Sequence, residues 1–322
     1  MSECDILLLN TPVCCIIYAI LLSEGFGESE EERKTMGTKF GDRRDGVKLK
    51  KIHSMHVIMP LIFPNRTDNE AFIAERIDLS GINSYLEKKN ADGPEYKYNL
   101  FQVIVTAALK AIVLRPKMNR FITNNTMYMH KEVSASFTVK KEFSDEGGEA
   151  LARVSVTGTE TIDDIHNSIY RQVSFCRSDK VDASTDAMNT IQRLPGFVLK
   201  FVGCLVRFLD RHGWLPKSMI STDPYQSSIL LSNLGSIGLK AGYHHLANWG
   251  TTSVFCTIGK AQKAPFFRED GTVEMKDSVD IGLTIDERIA DGYYYSRTVQ
   301  LLKKLLENPE LLERPLNEEV EF

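Results

Sequence analysis

Apolar and polar residues follow two different periods along the chain, and together they predict an α+β protein. Strands are predicted where apolar residues alternate with polar ones or form short runs, at 56–62, 71–77, 131–142, 150–157, 228–232, 253–258 and 278–286. Helices are predicted where apolar residues recur every three or four positions, at 78–90, 100–114, 161–176, 196–213 and in a C-terminal helix that ends at ENPELL. The late strands follow one another without regular strand-helix alternation, which favours an α+β fold over a parallel α/β fold.

The first 36 residues are expected to lie outside the domain. Their apolar run at 6–22 is interrupted by Asn10, Thr11 and Pro12 and no Lys or Arg precedes it, so it is poor both as a signal peptide and as a membrane span. We therefore expect a dispensable or disordered extension at 1–36 and a single domain at 37–322. A membrane-associated protein that uses 6–22 or 196–209 remains the weaker alternative.

Composition changes this picture mainly by exclusion. The chain is 43% apolar and 25% charged with a net charge of -4, so it lacks the basic surplus of a nucleic-acid-binding protein. Its six cysteines have neither CxxC nor zinc-site spacing, which indicates reduced thiols in the cytoplasm and no metal site. The P-loop, GxGxxG, HExxH and GxSxG motifs are also missing from the sequence.

Three clusters of residues remain as candidates for chemistry. Ser232 and Asn233 end a predicted strand just before Gly235, where a serine hydroxyl could donate to a developing oxyanion or could simply form a turn. His244 and His245 could provide a base or a pocket wall. Because adjacent residues on a strand point to opposite faces, one metal ion is not expected to bind both histidines.

The third cluster is a charged turn, where the strand at 278–286 meets the C-terminal helix in TIDERIADG. Together with SNLGSIG, SVFCTIGKAQK and LLENPELL, this stretch resembles the catalytic domain of the 2-oxoacid dehydrogenase acyltransferases, a family that shares its fold with chloramphenicol acetyltransferase. Earlier, KKIHSMHVIMP resembles that family's first strand, and IVTAALKAIVLRPKMNRF resembles its helix ending in a Pro-x-x-Asn turn. The resemblance spans residues 37–313, nearly all of the chain.

The resemblance implies a two-layer α/β sandwich, with a mixed sheet flanked by helices as in chloramphenicol acetyltransferase. It implies a homotrimer with active sites between neighbouring subunits, and the transfer of an acyl group between the thiols of coenzyme A and dihydrolipoamide. Coenzyme A, as its acyl thioester, is thus expected as a co-substrate. The acyl donor and the acceptor are both expected to be small molecules. Since only about 36 residues precede the match, fewer than a typical domain needs, no lipoyl domain and a free-standing acyltransferase-like protein are expected.

In the family pattern Asp-His-Arg-x-x-Asp-Gly, the histidine takes the thiol proton and the final aspartate helps to hold the site by pairing with an arginine. Asp286, Arg288, Asp291 and Gly292 match this pattern, but Glu287 stands where the catalytic histidine is expected. The resemblance also gives the serine of SNLG the role of oxyanion donor, which falls on Ser232 here. Asn233 and Gly235 of the same segment, and Asp286, Arg288 and Gly292 of the turn, are expected to support the site.

A glutamate in place of the histidine weakens the expected base. At reference pKa values of about 4.3 and about 6.5, proton transfer from a thiol to glutamate is less favourable by about 3 kcal/mol, although burial would reduce the difference. Glu287 is therefore one candidate base, and His244 or His245 is another. The alternative function is a catalytically inactive trimeric relative that serves as a binding or scaffold protein.

Overall fold

A computed structural model of the chain describes residues 41–50, 52–140, 148–177 and 195–322. The strands in these ranges are β1 Gly46–Lys48, β2 Glu70–Asp78, β3 Arg120–Thr123, β4 Thr126–His130, β5 Val133–Lys140, β6 Glu149–Val156, β7 Ile229–Asn233, β8 Val254–Ile258, β9 Gln262–Phe267 and β10 Val273–Asp286. The α-helices are α1 Ser54–Ile62, α2 Ser80–Lys89, α3 Leu100–Leu114, α4 Ile162–Arg177, α5 Gly196–Arg211, α6 Lys217–Thr222 and α7 Gly292–Glu307.

Seven of these strands form one sheet, in the order β2-β10-β8-β7-β5-β6 with β9 paired to the first half of β10. The pairs β5–β7 and β7–β8 are parallel and the other pairs are antiparallel, so the sheet is mixed. A smaller antiparallel sheet has the order β1-β4-β3. The predicted mixed sheet flanked by helices is confirmed.

The strand β10 lies between β2 and β8, and its two faces meet different environments. Its apolar residues Val279, Ile281, Leu283 and Ile285 are buried in the main core, together with the inner faces of α3 and α7. Because successive side chains of a strand point to opposite faces, Gly282, Thr284 and Asp286 lie on the second face of the sheet. That second face is covered by the segment 239–250, whose Leu246 packs with Leu230 and Phe255.

Most of the predicted elements are confirmed, and the predicted helix at 100–114 has the observed bounds of α3. Its apolar residues are buried nearly all round because α3 packs against α7, α4 and β5. Its first turn is fixed by a capping box in which the Asn99 side chain accepts from the Gln102 N–H while the Gln102 side chain accepts from the Asn99 N–H.

The prediction of a strand at 56–62 is wrong, as is the interpretation of KKIHSMHVIMP as a first strand, because Ser54–Ile62 forms the helix α1. A short apolar run does not distinguish a helix from a strand, and Pro60 lacks the N–H that a sheet would use. The predicted extension at 1–36 and most of the predicted turn at 143–150 lie outside the described residues. Across the described ranges, no helix is long and apolar enough to cross a membrane.

The buried histidine at the end of β4 makes the stability of the fold sensitive to pH. His130 is 7% exposed, and burial lowers its pKa from 6.5 to about 4. The unfolded chain therefore binds more protons than the folded chain between pH 6.5 and about 4. Stability is fully present above this window and falls as the pH drops through it, by about 3 kcal/mol in total for this group.

Urea unfolding of the wild-type chain and of His130→Gln, at about pH 7 and about pH 4.5, tests this expectation. The free energy of unfolding decreases from about pH 7 to about pH 4.5, and this decrease should be smaller in His130→Gln than in the wild type by about 2 to 3 kcal/mol. His212→Gln is the matched control because His212 is exposed. An equal pH dependence in His130→Gln and wild type would contradict the prediction.

Candidate active site

A buried ion pair fixes the charged turn between β10 and α7. Asp286 is fully buried and accepts from Arg288 through both carboxylate oxygens, at 2.8 Å from Nε and 2.7 Å from Nη2. Arg288 also donates to the carbonyl oxygens of Phe63 and Pro64, at 2.9 Å and 3.1 Å. The pair therefore ties the end of α1 to the turn and sets the position of the residue between its two members.

A second arginine faces the same carboxylate from the other side. The Nε of Arg66 lies 3.7 Å from Asp286, and its Nη groups donate to the carbonyl oxygens of Ala247 and Gly250 at 2.6 Å and 3.0 Å. Burial lowers the pKa of Arg66 while Asp286 raises it. Asp286 thus compensates two buried guanidinium groups and anchors the segment 239–250 as well as the turn.

Glu287 is held by its backbone and presents its side chain to solvent. Its N–H donates to the Asn69 carbonyl at 2.9 Å, and its carbonyl accepts from the Tyr295 hydroxyl. The side chain is exposed in the single chain. The carboxylate is therefore open to water in the single chain.

Glu287 lines an open groove of about 770 Å³ that runs between α1, β2 and α7. The groove is lined by Met55, His56, Met59, Ala71, Ile73, Glu75, Glu287, Ala290, Asp291, Gly292, Tyr295, Ser296, Val299, Gln300 and Lys303. It combines an apolar wall from the two methionines with charged groups at the turn. Such a mixture suits a ligand that has a flexible aliphatic part and a reacting polar group.

Asp291 and Gly292 form the start of α7 at one side of this groove. The Asp291 carboxylate accepts from the Tyr294 N–H at 2.9 Å, which caps the helix, and this hydrogen bond lowers its pKa. Its cationic neighbour is Lys117 at 3.9 Å, a lysine where the resemblance leads one to expect an arginine. A Cβ built on Gly292 would meet no atom within 4 Å in the described chain, so this glycine keeps the groove wide rather than relieving a clash.

His56 is a site residue that the sequence patterns did not reveal. It lies on α1, it lines the groove, and its Nδ1 is 2.9 Å from the carbonyl oxygen of Arg288. The stretch that carries it was predicted as a strand and attracted no functional interpretation. Only the position of a histidine near the first family-like segment could have pointed to it, and nothing in that segment linked it to the turn.

Ser232 lies on the second face of the sheet, far from Glu287 within one chain. Ser232 is paired with Thr257, and Thr257 is paired with Gly282 on β10. Two strand spacings and five residues along β10 then separate Ser232 from Glu287, which corresponds to about 19 Å at about 4.8 Å per strand and about 3.3 Å per residue. A single chain therefore does not bring the predicted oxyanion donor to the charged turn.

The turn after Ser232 is shaped by its neighbours. The Asn233 side chain accepts from the Ser236 N–H at 3.2 Å and caps a short 3₁₀ turn. A Cβ built on Gly235 would lie 2.6 Å from the carbonyl oxygen of Gly259, so only glycine allows this close approach of two backbones. These two residues thus position the end of β7 and the turn after it, and their role in supporting a catalytic site stays a prediction.

His244 and His245 lie on the segment 239–250 that covers the second face of the sheet. The His244 ring stacks on Phe255 at 4.2 Å, and its Nδ1 is 2.8 Å from the His245 carbonyl oxygen. Phe255 is paired with Thr284, three residues before Glu287 and one strand away, or about 11 Å from it. The ring contacts of His244 are with Phe255 and His245, and the role of either histidine as the base stays a prediction.

Metal binding has no support in the described ranges, where no group of three or more His, Cys, Asp or Glu side chains could hold an ion.

A family model for the 2-oxoacid dehydrogenases acyltransferase (catalytic domain) matches residues 217–313. The lipoamide acyltransferase component of the branched-chain alpha-keto acid dehydrogenase complex, mitochondrial, of Arabidopsis thaliana is 34% identical over 85 residues. That match covers 26% of this chain and only 17% of the Arabidopsis protein.

Solved structures extend the likeness to most of the chain at the level of the fold. The cubic core of the pyruvate dehydrogenase multienzyme complex has a TM-score of 0.56 at 12% identity, covering 82% of this chain and 94% of that one. Chloramphenicol acetyltransferase has a TM-score of 0.50 at 14% identity, covering 81% and 99%. The chain therefore has the chloramphenicol acetyltransferase-like fold, and its segment 217–313 is similar to the catalytic domain of the 2-oxoacid dehydrogenase acyltransferases.

Proposed function

We propose that this protein is an acyltransferase that moves an acyl group from an acyl-coenzyme A thioester to a small acceptor at a site between subunits of a homotrimer. The observation that carries this proposal is the turn itself. The buried Asp286–Arg288 pair retains the family pattern, and the turn opens into a groove that Gly292 keeps free. A structural remnant without a ligand would not need an open groove at this point.

The separation of the two halves of the site favours an assembly of several copies. Ser232 lies about 19 Å from Glu287 in one chain, so an oxyanion donor could serve the turn only from a neighbouring copy. One side of α1 supports such a neighbour, because it exposes Met55, Val57, Ile58, Leu61 and Ile62 next to the groove. Contiguous exposed apolar side chains mark interaction surfaces in soluble proteins.

In this arrangement the groove receives the acceptor, and Ser232 of the neighbouring copy donates a hydrogen bond to the oxyanion of the tetrahedral intermediate. Dihydrolipoamide is the first acceptor to test, because the Arabidopsis relative is by name a lipoamide acyltransferase component. Coenzyme A is a co-substrate in this reaction and not a resident cofactor.

A binding or scaffold role is the second candidate, and the carboxylate at position 287 is the observation that favours it. A relative that lost the base would keep the trimer and the fold but would no longer need the groove. The two functions differ in whether acyl-coenzyme A binds and whether its thiol is released, so the assay below separates them.

Calorimetric titration with acetyl-coenzyme A, followed by an assay of thiol release with dihydrolipoamide and a panel of small thiols, tests the proposal. We expect binding and transfer in the wild type. Gly292→Leu should weaken both by placing a bulky side chain at the groove, and we expect the fold to be retained because a Cβ at this position would meet no described atom within 4 Å. Absence of binding and of transfer in the wild type, with trimers intact, would overturn the enzymatic function and favour the scaffold.

A further inference from the structure

The position of His56 supplies the chemical group that the turn lacks. A carbonyl oxygen only accepts hydrogen bonds, so the Nδ1 that lies 2.9 Å from the Arg288 carbonyl must carry the proton. In the neutral ring the other nitrogen, Nε2, is then unprotonated and holds a free lone pair. The hydrogen bond fixes the tautomer and the orientation of a histidine that lines the same groove as Glu287.

The surroundings of the ring keep it neutral. Burial is the largest influence and lowers the pKa of His56, and the cationic Arg120 and Lys117 lower it further. The Arg288 carbonyl and the Asp291 carboxylate raise it, but the net direction is downward from 6.5. The ring is therefore in its basic, unprotonated form at neutral pH.

The charged groups around the ring come from every element that borders the groove. The cations Lys117, just before β3, and Arg120, the first residue of β3, act on the ring. Glu75 on β2, Glu287 in the turn, and Asp291 and Lys303 on α7 line the same groove. The two cations with the largest influence on His56 outweigh the nearest carboxylate. The protonated ring is thus disfavoured at neutral pH.

We propose that His56 is the general base of the acyl transfer, so that α1 supplies the imidazole that position 287 lacks. This inference rests on the proposed function. Nε2 of His56 takes the proton of the acceptor thiol, and the sulfur forms a bond with the carbonyl carbon of the thioester. The tetrahedral oxyanion then collapses, the bond between carbon and the coenzyme A sulfur breaks, and the departing thiolate takes the proton back from Nε2.

His56 is better suited to this role than Glu287 on two grounds. The reference pKa of an imidazole lies closer to that of a thiol than the reference pKa of a carboxylate does. The His56 ring is also half-buried and oriented by a hydrogen bond, whereas the Glu287 side chain is exposed. Glu287 remains in the groove as a neighbouring charge, which the reaction does not require as a proton acceptor.

The variant His56→Asn separates the base from the structural role of the ring. The asparagine amide nitrogen can still donate to the Arg288 carbonyl and so tie α1 to the turn, but it has no lone pair that accepts a proton. Thiol release should decrease by about 10² to 10⁴-fold, the usual contribution of a general base, while the affinity for acetyl-coenzyme A stays near that of the wild type. His212→Gln is the control, because the Nδ1 of His212 is also bonded to a carbonyl, at 2.7 Å from Phe208, outside the groove.

Two further readouts distinguish a base from a merely structural residue. The pH profile of the wild type should lose activity as the pH falls through the lowered pKa of His56, below 6.5, and added imidazole should partly restore His56→Gly. If the wild type transfers the acyl group and His56→Asn is equally active, the role of His56 as the base is overturned while the proposed function stands. A wild type that neither binds acetyl-coenzyme A nor releases thiol would overturn the proposed function, and the role of His56 with it.

Discussion

Asp286→Ala should lower the free energy of unfolding by about 3 to 5 kcal/mol, the usual cost of removing one partner from a buried ion pair. Asp286 is fully buried and compensates two guanidinium groups, those of Arg288 and Arg66, which are 1% and 4% exposed. Without it, two positive charges would remain in a region that water does not reach. Urea unfolding of the variant and the wild type measures the difference.

A matched control for this variant lies on the same strand. Asp280 receives a bidentate pair of hydrogen bonds from Arg76, at 2.7 Å and 3.2 Å, but both side chains are partly exposed to water. Asp280→Ala should leave the free energy of unfolding close to that of the wild type, since exposed ion pairs contribute little. Equal losses in the two variants would contradict the view that burial makes the Asp286 pair important.

The same substitution should also affect the groove before the whole chain unfolds. Arg288 holds the end of α1 through the carbonyl oxygens of Phe63 and Pro64, and its own carbonyl accepts from His56. A disturbed turn therefore releases the helix that forms one wall of the groove. We expect Asp286→Ala to lose acetyl-coenzyme A binding at denaturant concentrations at which its far-ultraviolet circular dichroism is still native.

The frame of the site could be predicted from the sequence, because its residues are contiguous. The alternation up to Ile285 and the capping aspartate before α7 define the strand, the turn and the helix within 30 residues of chain, so Asp286, Arg288, Asp291 and Gly292 fall where the pattern places them. Local patterns of this kind depend on backbone geometry and on which face of the strand is buried.

The partner groups could not be predicted, because they come from distant parts of the chain. His56 is 232 positions away from the carbonyl that orients it, and Arg66 lies on a short 3₁₀ turn with no periodic pattern. The six apolar residues at 57–62 also fit a strand, and only the tertiary structure shows that most of them are exposed on a helix. Burial, and hence the direction of each pKa shift, is likewise a property of the folded chain.

The distance between Ser232 and the turn changes how the missing histidine should be understood. In a site completed by two copies, the base and the oxyanion donor are carried on different surfaces of the chain. A histidine can then reach the reacting thiol from any element that borders the groove, since the donor approaches from the neighbouring copy. The exchange of a turn histidine for His56 on α1 leaves that geometry between the copies intact.

Mixed trimers give the most direct test of a site shared between neighbouring copies. Ser232→Ala alone should reduce thiol release by about 10² to 10³-fold, as for loss of one oxyanion-hole donor. His56→Asn alone should be similarly inactive. When the two variants carry the same tag and are co-expressed in equal amounts, so that all random trimers are purified together, about a quarter of the interfaces should combine an intact His56 with an intact Ser232 from the neighbour.

Activity of about a quarter of the wild-type value in these mixed trimers is therefore the expected result. The control is co-expression of the wild type with the double variant His56→Asn/Ser232→Ala. A shared site again predicts about a quarter, whereas a site within one chain predicts about a half for this control and almost none for the mixture of single variants. The second pattern would contradict the shared site. Both mixtures contain His and Asn at position 56, and Ser and Ala at position 232, in the same amounts. Differences in folding between the single variants therefore cannot produce equal activity of about a quarter in the two mixtures.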